Sequence, residues 1–383
     1  MPGEDGYGGQ VMAQAGDGSA GREAQIRERS RSHPGWFGGV MGTAALSVAA
    51  FRIPADAGVV SVTSSVVGWI FLTFASVALG VLVVINLIHH TPRGLLLQDI
   101  RSSRRGPAYA AVPGALLMLV LAYEAALPEL LDGPGAAWTL LVIALAAAAI
   151  DVWLTLVSFT TAIASRGSVE SDELSGVWFM PLTVILIAST TLARLSVGPH
   201  GAVSEIAAPV SVLLLGAGFL LFLFIGALVL GHLVSHALAP QVGIPAAWIM
   251  MSPAAASALA FMALPTVVPT LLTSPPMSVS FVTSLMAGAL VGFSLWWLGV
   301  VGVLTFQLRS EAMSFSPASW SYVFPLGAVA VASGELARTW DSSLMVGVAI
   351  AMAALGTAVW VVVFVESVPW IRRRVAVERQ SGE

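Results

Sequence analysis

The sequence contains neither cysteine nor lysine. Without thiols there is no disulfide, no thiolate nucleophile, no Cys-ligated zinc and no iron–sulfur cluster. Charge is scarce as well. Only 10% of the 383 residues are charged, against about 25% in an ordinary soluble domain. So few charges cannot cover the surface of a soluble domain, and the stretch 206–308 has none at all. No H-E-x-x-H, G-x-S-x-G or acidic metal cluster occurs, so no hydrolase or metalloenzyme site is marked. No catalytic residue, cofactor or metal is expected. What the chain does have is hydrophobic residues, 57% of the total, in runs of roughly 20 that recur after residue 35. The expectation is an all-α membrane protein whose surroundings are lipid and not nucleic acid.

Residues 1–32 are rich in Gly, Ser, Asp, Glu and Arg and lack the apolar core of a signal peptide. They read as a disordered cytoplasmic tail, with 33–371 as the membrane domain and 372–383 as a cytoplasmic C-terminal tail. Within 33–371 ten apolar segments can be marked, at 35–51, 59–89, 107–126, 136–165, 177–195, 207–237, 245–265, 279–307, 318–333 and 343–371. Short and long segments alternate. Each short one opens near an aromatic residue: Trp36, Tyr109, Trp178, Trp248 and Trp320. Pro34, Pro107, Pro245 and Pro317 precede four of these, and Pro113, Pro181, Pro253 and Pro325 follow four of them by about a turn. In the first segment Gly38, Gly39 and Gly42 take that place. This is an internal repeat of a hairpin, a short kinkable helix followed by a long smooth one. A proline that frees a carbonyl needs a partner in protein or water, so the short helices belong inside and the long ones face lipid. Five hairpins in a quasi-fivefold arrangement around a common centre fit this pattern better than a plain bundle.

The 17 basic residues are all arginine. With ten spans, one side of the membrane holds Arg22, Arg27, Arg29, Arg31, Arg93, Arg101, Arg104, Arg105, Arg166, Arg309, Arg372, Arg373, Arg374 and Arg379, and the other only Arg52, Arg194 and Arg338. Positive charge stays on the cytoplasmic side, which puts both termini there.

The run His33-Pro34-Gly35-Trp36-Phe37-Gly38-Gly39-Val40-Met41-Gly42-Thr43-Ala44 resembles the opening helix of the tellurite-resistance/dicarboxylate transporter family, HP-x-WF-x-x-VMGTG. Trp320-Ser321-Tyr322-Val323-Phe324-Pro325-Leu326 is similar to that family's W-x-x-x-FP element. The last glycine of the motif is replaced by Ala44. The resemblance implies an anion conductor or exporter of the plasma membrane. It also implies five inner helices around a pore, a homotrimer with one pore per subunit, and Phe324 as the pore-blocking residue. C4-dicarboxylates such as malate lead the substrates so implied; sulfite, tellurite-related oxyanions, chloride and nitrate are the alternatives, as is a proton-coupled carrier.

Anion passage needs weak dipolar or positive coordination. The short helices point their N-terminal dipoles at the cytoplasm and carry the hydroxyls of Thr43, Ser47, Thr183, Ser189, Thr190, Thr191, Ser252, Ser257 and Ser321. A hydroxyl bonded to its own helix is the plainer role for any one of them. Four residues past each repeat aromatic stand Val40, Pro113, Leu182, Ser252 and Phe324. Only the last is large and aromatic, and it precedes Pro325, where the helix can bend. Arg52, Arg194 and Arg338 end short helices and would attract anions at an outer mouth, unless they snorkel or are neutralised by Asp56, Glu335 or Asp341. Asp151, Glu124 and Glu366 are acids in apolar segments, with a structural hydrogen bond as the plainer role for Asp151. His232 and His236 share a helix face but lack a third ligand. The arginine asymmetry makes a topological prediction. A reporter fused after Arg374 reads cytoplasmic and one inserted at Gly133 reads extracytoplasmic; a cytoplasmic signal at Gly133 breaks the ten-span scheme.

Overall fold

An apolar segment without side-chain hydrogen-bond partners satisfies its backbone most completely as a helix, and helix is what these segments form. The computed structural model describes residues 33–53, 59–88, 93–102, 105–164, 175–235, 243–273, 278–309 and 315–381. The expectations for residues 1–32, Arg104, Arg166, Asp56 and His236 lie outside the described residues. The α-helices are α1 Gly35–Arg52, α2 Val59–Ile88, α3 Arg93–Ile100, α4 Ala111–Ala126, α5 Pro134–Ala164, α6 Phe179–Leu195, α7 Gly201–Ser235, α8 Gly243–Ile249, α9 Met251–Leu271, α10 Ser278–Gln307, α11 Val323–Trp340 and α12 Ser343–Ser381. No strand occurs among the described residues. The last helix runs without a break through Ile371, where the membrane domain was expected to end.

Eight stretches among the described residues are long and apolar enough to cross a membrane: Val62–Ile88, Gly106–Ala126, Pro134–Ala164, Gly176–Leu195, Gly201–Ser235, Ile244–Leu271, Ser278–Gln307 and Ser343–Ala376. The chain is therefore a multi-pass membrane protein. The two remaining segments, α1 and α11, have 18 residues each and carry Gly, Ser, Thr and terminal charges that dilute their hydropathy. Both are buried along most of their length. Burial separates two layers. The apolar windows of the short helices α4, α6 and α9 are 50–89% buried, those of the long helices α2, α5, α7, α10 and α12 only 17–39%. Each short helix packs against the long helix that follows it, and each long helix also touches the next short one. In chain order α1 packs on α4, α4 on α6, α6 on α9, α9 on α11, and α11 on α1.

The prolines act differently from the expected mid-helix kinks. Pro113, Pro181, Pro253 and Pro325 each stand third in their α-helix, within the first turn, where no amide is needed for the intrahelical ladder. Ahead of each lies a separate short lead-in: 3₁₀ turns at Gly106–Ala110, Gly176–Trp178 and Pro317–Tyr322, and α8 ahead of α9. The helix without that proline, α1, has no 3₁₀ lead-in among the described residues. Tyr109, Trp178, Trp248 and Trp320 sit in these lead-ins, whereas Trp36 lies in the first turn of α1. Trp248 Nε1 donates to Thr305 Oγ1 at 3.0 Å, and the Trp178 ring meets Phe159 edge-on at 5.6 Å. Prolines also occur inside the long helices, at Pro209 and Pro369, and α9 holds Pro265 and Pro269.

Polar contacts within the hairpins repeat with the sequence. Ser47 Oγ donates to Gly68 O on α2 at 2.9 Å, and Ser189 Oγ donates to Ser211 O on α7 at 2.7 Å. Each serine lies eleven residues past its repeat aromatic. The first and last short helices approach closely through small residues. A Cβ on Gly42 would lie 3.0 Å from Phe324 N and from Val323 Cβ, and one on Gly327 would lie 2.9 Å from Ala45 Cβ and 3.2 Å from its carbonyl carbon. Gly42→Val should therefore wedge α1 from α11 and cost about 1–3 kcal/mol, as overpacking does, read as a lower melting temperature in detergent. An unchanged melting temperature would mean that the interface has slack.

Candidate functional site

Between the short helices lies a cavity of about 30 Å³, enough for a water or two and too small for an open passage. Twelve residues border it, all on the five short helices. Val48 and Arg52 come from α1, Met118 and Leu121 from α4, Ile187, Thr190 and Arg194 from α6, Ala256 and Leu259 from α9, and Phe324, Ala328 and Val331 from α11. On each helix the spacing is three, four or seven, so each presents a single face. Nine of the twelve side chains are apolar. Thr190 Oγ1 donates to Leu186 O of its own helix at 3.1 Å.

Arg52 and Arg194 bring charge to this apolar space, and with Arg338 they meet two carboxylates. Glu335 Oε1 accepts from Arg194 Nη2 at 2.6 Å and from Arg52 Nη1 at 3.1 Å, while Oε2 pairs with Arg338 Nη2 at 2.8 Å. Arg52 Nη2 also pairs with Glu124, and Arg338 Nη1 donates to the Arg52 carbonyl at the end of α1. Four short helices are thus tied at one end by charge. The Arg52, Glu124 and Glu335 side chains are each at most 14% exposed, so these pairs are much less screened than surface ones.

The sequence-based candidates divide. Phe324, Thr190, Arg52 and Arg194 border the cavity. Arg338 does not, and its side chain is 41% exposed. Val40, Pro113, Leu182 and Ser252 are all buried, but none borders the cavity. Equal offset from the aromatic does not give equal depth, because the lead-ins differ in length. Thr43 Oγ1 donates to Gly39 O at 2.7 Å and accepts from Trp360 Nε1 at 2.8 Å, so it is turned toward α12. Ser47 is turned toward α2. Thr183 and Thr191 bond to their own helix. Ser257 Oγ is buried without a partner; Ser321 and Pro325 do not border the cavity. Of the proposed neutralising acids Glu335 pairs with all three arginines, whereas Asp341 ends α11 in the left-handed region at φ 50°. Asp151 is fully buried on the inward stripe of α5, and neither carboxylate oxygen has a hydrogen-bond partner, so the structural hydrogen bond expected of it is not formed. Glu366 is exposed on α12. Among the described residues no group of three or more His, Asp or Glu could hold a metal.

Reasoning from sequence passed over the apolar lining. Counting back from the arginines finds part of it, since Val48 precedes Arg52 by one turn and Ile187 precedes Arg194 by two turns. The acids had a signal too. Glu124 and Glu335 each stand fifteen residues past a repeat aromatic, and Arg52 and Arg194 sixteen.

Two layers of membrane helices, with a charged cluster at one end of an apolar internal cavity, define a polytopic α-helical membrane protein. A model of the voltage-dependent anion channel family matches residues 31–368, and the chain belongs to that family, one of channels and transporters and not of enzymes. Two uncharacterized transporters of Methanocaldococcus jannaschii are similar to it. One is 25% identical over 185 residues, covering 46% of this chain and 50% of the relative. The other is 27% identical over 176 residues, covering 44% and 48%. The chain thus spans about half the length of the curated relatives it matches.

Removing one member of a buried pair strands the other. Arg52→Met should cost about 3–5 kcal/mol, seen as a fall in melting temperature, and adding Glu124→Gln should recover part of the loss. If Arg52→Met melts like the native protein, the cluster contributes nothing to stability.

Proposed function

We propose that this protein conducts small anions across the plasma membrane through a pore at the centre of its five short helices, set quasi-fivefold around it as five hairpins. The observation that carries this reading is the cavity: every residue bordering it lies on a short helix and none on a long one. Closure of the packing sequence, α11 back onto α1, supports the same arrangement. Counting α1 and α11 as spans gives ten, with both termini cytoplasmic by the arginine bias.

Phe324 acts as the gate. It borders the cavity at the second residue of α11, eleven residues and about 16 Å of helix rise from Glu335. Phe324 and the apolar side chains that share its cavity, Met118 and Ile187 among them, exclude a hydrated anion by dewetting. Arg52 and Arg194 draw anions to the outer end. A mostly apolar path with few donors binds weakly, which suits a channel better than a coupled carrier. The five similar repeats point the same way, since carriers are commonly built from two inverted ones. C4-dicarboxylates such as malate are the substrates to test first, and a homotrimer is the assembly implied by the sequence resemblance.

Phe324→Ala should raise anion conductance in planar bilayers severalfold or more while the protein remains folded and oligomeric. If Phe324 only packs, the same change opens a core cavity costing about 3–5 kcal/mol. Melting temperature then falls and conductance stays at the native level, which removes the gate.

A further inference from the structure

Three guanidinium groups from three helices point at one carboxylate, Glu335, at the end of an otherwise apolar cavity. Charge balance does not ask for this. Across the cluster three positive charges face two negative ones, and among the described residues Glu124 pairs with Arg52 alone. Donors are also left over. Arg52 Nε and Arg194 Nε are both buried and have no hydrogen-bond partner, and both belong to arginines that border the cavity. Unused buried donors carry a desolvation cost, and a second anion is the group that would relieve it. Glu335 lies one helical turn beyond Val331, which itself borders the cavity. Its side chain reaches the arginines from the edge of the space a passing anion would use.

We propose that Arg52, Arg194 and Arg338 form an anion site for carboxylates, and that the Glu335 side chain is its built-in occupant. The tethered carboxylate holds the position a free carboxylate takes when Glu335 swings aside. This rests on the anion-conducting reading for its purpose, but not for its chemistry, which is guanidinium–carboxylate pairing. The tether sets selectivity by competition. An anion must offer the arginines at least what Glu335 offers, so carboxylates with paired oxygens compete better than a spherical halide, which cannot take two parallel N–H bonds. Displacing Glu335 also loosens the contact between α11 and the ends of α1 and α6, so occupancy of the site and the outer packing of the short helices are coupled.

The test removes the tether and supplies the carboxylate free. The full-length Glu335→Ala protein is melted across a series of sodium acetate concentrations, at constant ionic strength set with sodium chloride, with acetamide as the neutral control. The expected result is a saturable rise in melting temperature with acetate, absent with acetamide, at a concentration at least tenfold below any effect on the native protein. Equal melting in acetate and in chloride of the same strength overturns the proposal. Should Glu335→Ala fail to fold, Glu335→Gln carries the test with malate as the probe. Half-maximal stabilisation is then expected at a concentration at least tenfold below that of the native protein, and equal concentrations overturn the site. Neither measurement uses flux. A Phe324→Ala protein with native-level conductance would remove the Phe324 gate and leave the carboxylate site standing, and the reverse pattern would do the opposite.

Discussion

Hydrocarbon offers no partner to a freed backbone group or a bare charge, and that constraint sorts the whole chain. The interrupted segments, with their lead-in turns, first-turn prolines and terminal charges, lie in the inner layer. The long uninterrupted ones take the outside, where Val, Leu, Ile and Trp side chains such as Leu213, Phe224, Ile163 and Trp296 are exposed. Every hairpin joins one member of each layer. Each short inner helix is packed against the long helix that follows it and against the long helix before it, with α12 taking the latter place for α1.

Inside, the same constraint acts on hydroxyls and charges. Thr43, Thr183 and Thr191 return their protons to carbonyls four residues back in their own helices, and Ser47 and Ser189 give theirs to the neighbouring long helix. The inner helices can then face one another with apolar atoms, and the cavity between them is mostly apolar for that reason. Charges gather at one end, where Arg52, Arg194, Arg338, Glu124 and Glu335 satisfy one another. The ring-sized side chain of Phe324 and this charged cluster are the two distinct chemical features along the cavity.

Much of this was legible in the sequence and the misses have physical causes. Hydrophobic runs and the recurring aromatics located the helices and their pairing. The apolar run of the ninth segment ends at residue 333, but α11 continues to Trp340. Glu335 and Arg338 looked like a boundary and are instead paired within the protein. The prolines were read as mid-helix kinks, whereas each starts a helix after a short turn, a distinction that depends on backbone hydrogen bonding and not on residue spacing. Hydroxyls stand out as pore candidates because polar groups in membranes are rare, yet Thr43, Ser47, Thr183, Ser189 and Thr191 bond to nearby carbonyls, and plain residues such as Val48, Ile187, Ala256 and Val331 border the cavity beside Thr190. Composition cannot say which face of a helix points inward when every face is apolar. Only the packing of five helices against one another does so.

The native absence of cysteine makes the central claim directly measurable. Single cysteines at Ala256 and Ala328, which border the cavity, are compared with cysteines at Ser47 and Ser189, which face the long helices. All four are placed in the Phe324→Ala protein and exposed in vesicles to a small, negatively charged thiol reagent. An anion path between the short helices predicts rapid labelling of Ala256→Cys and Ala328→Cys with loss of anion flux, and no reaction at the other two. Equal labelling of all four, or labelling confined to Ser47→Cys and Ser189→Cys, would contradict it.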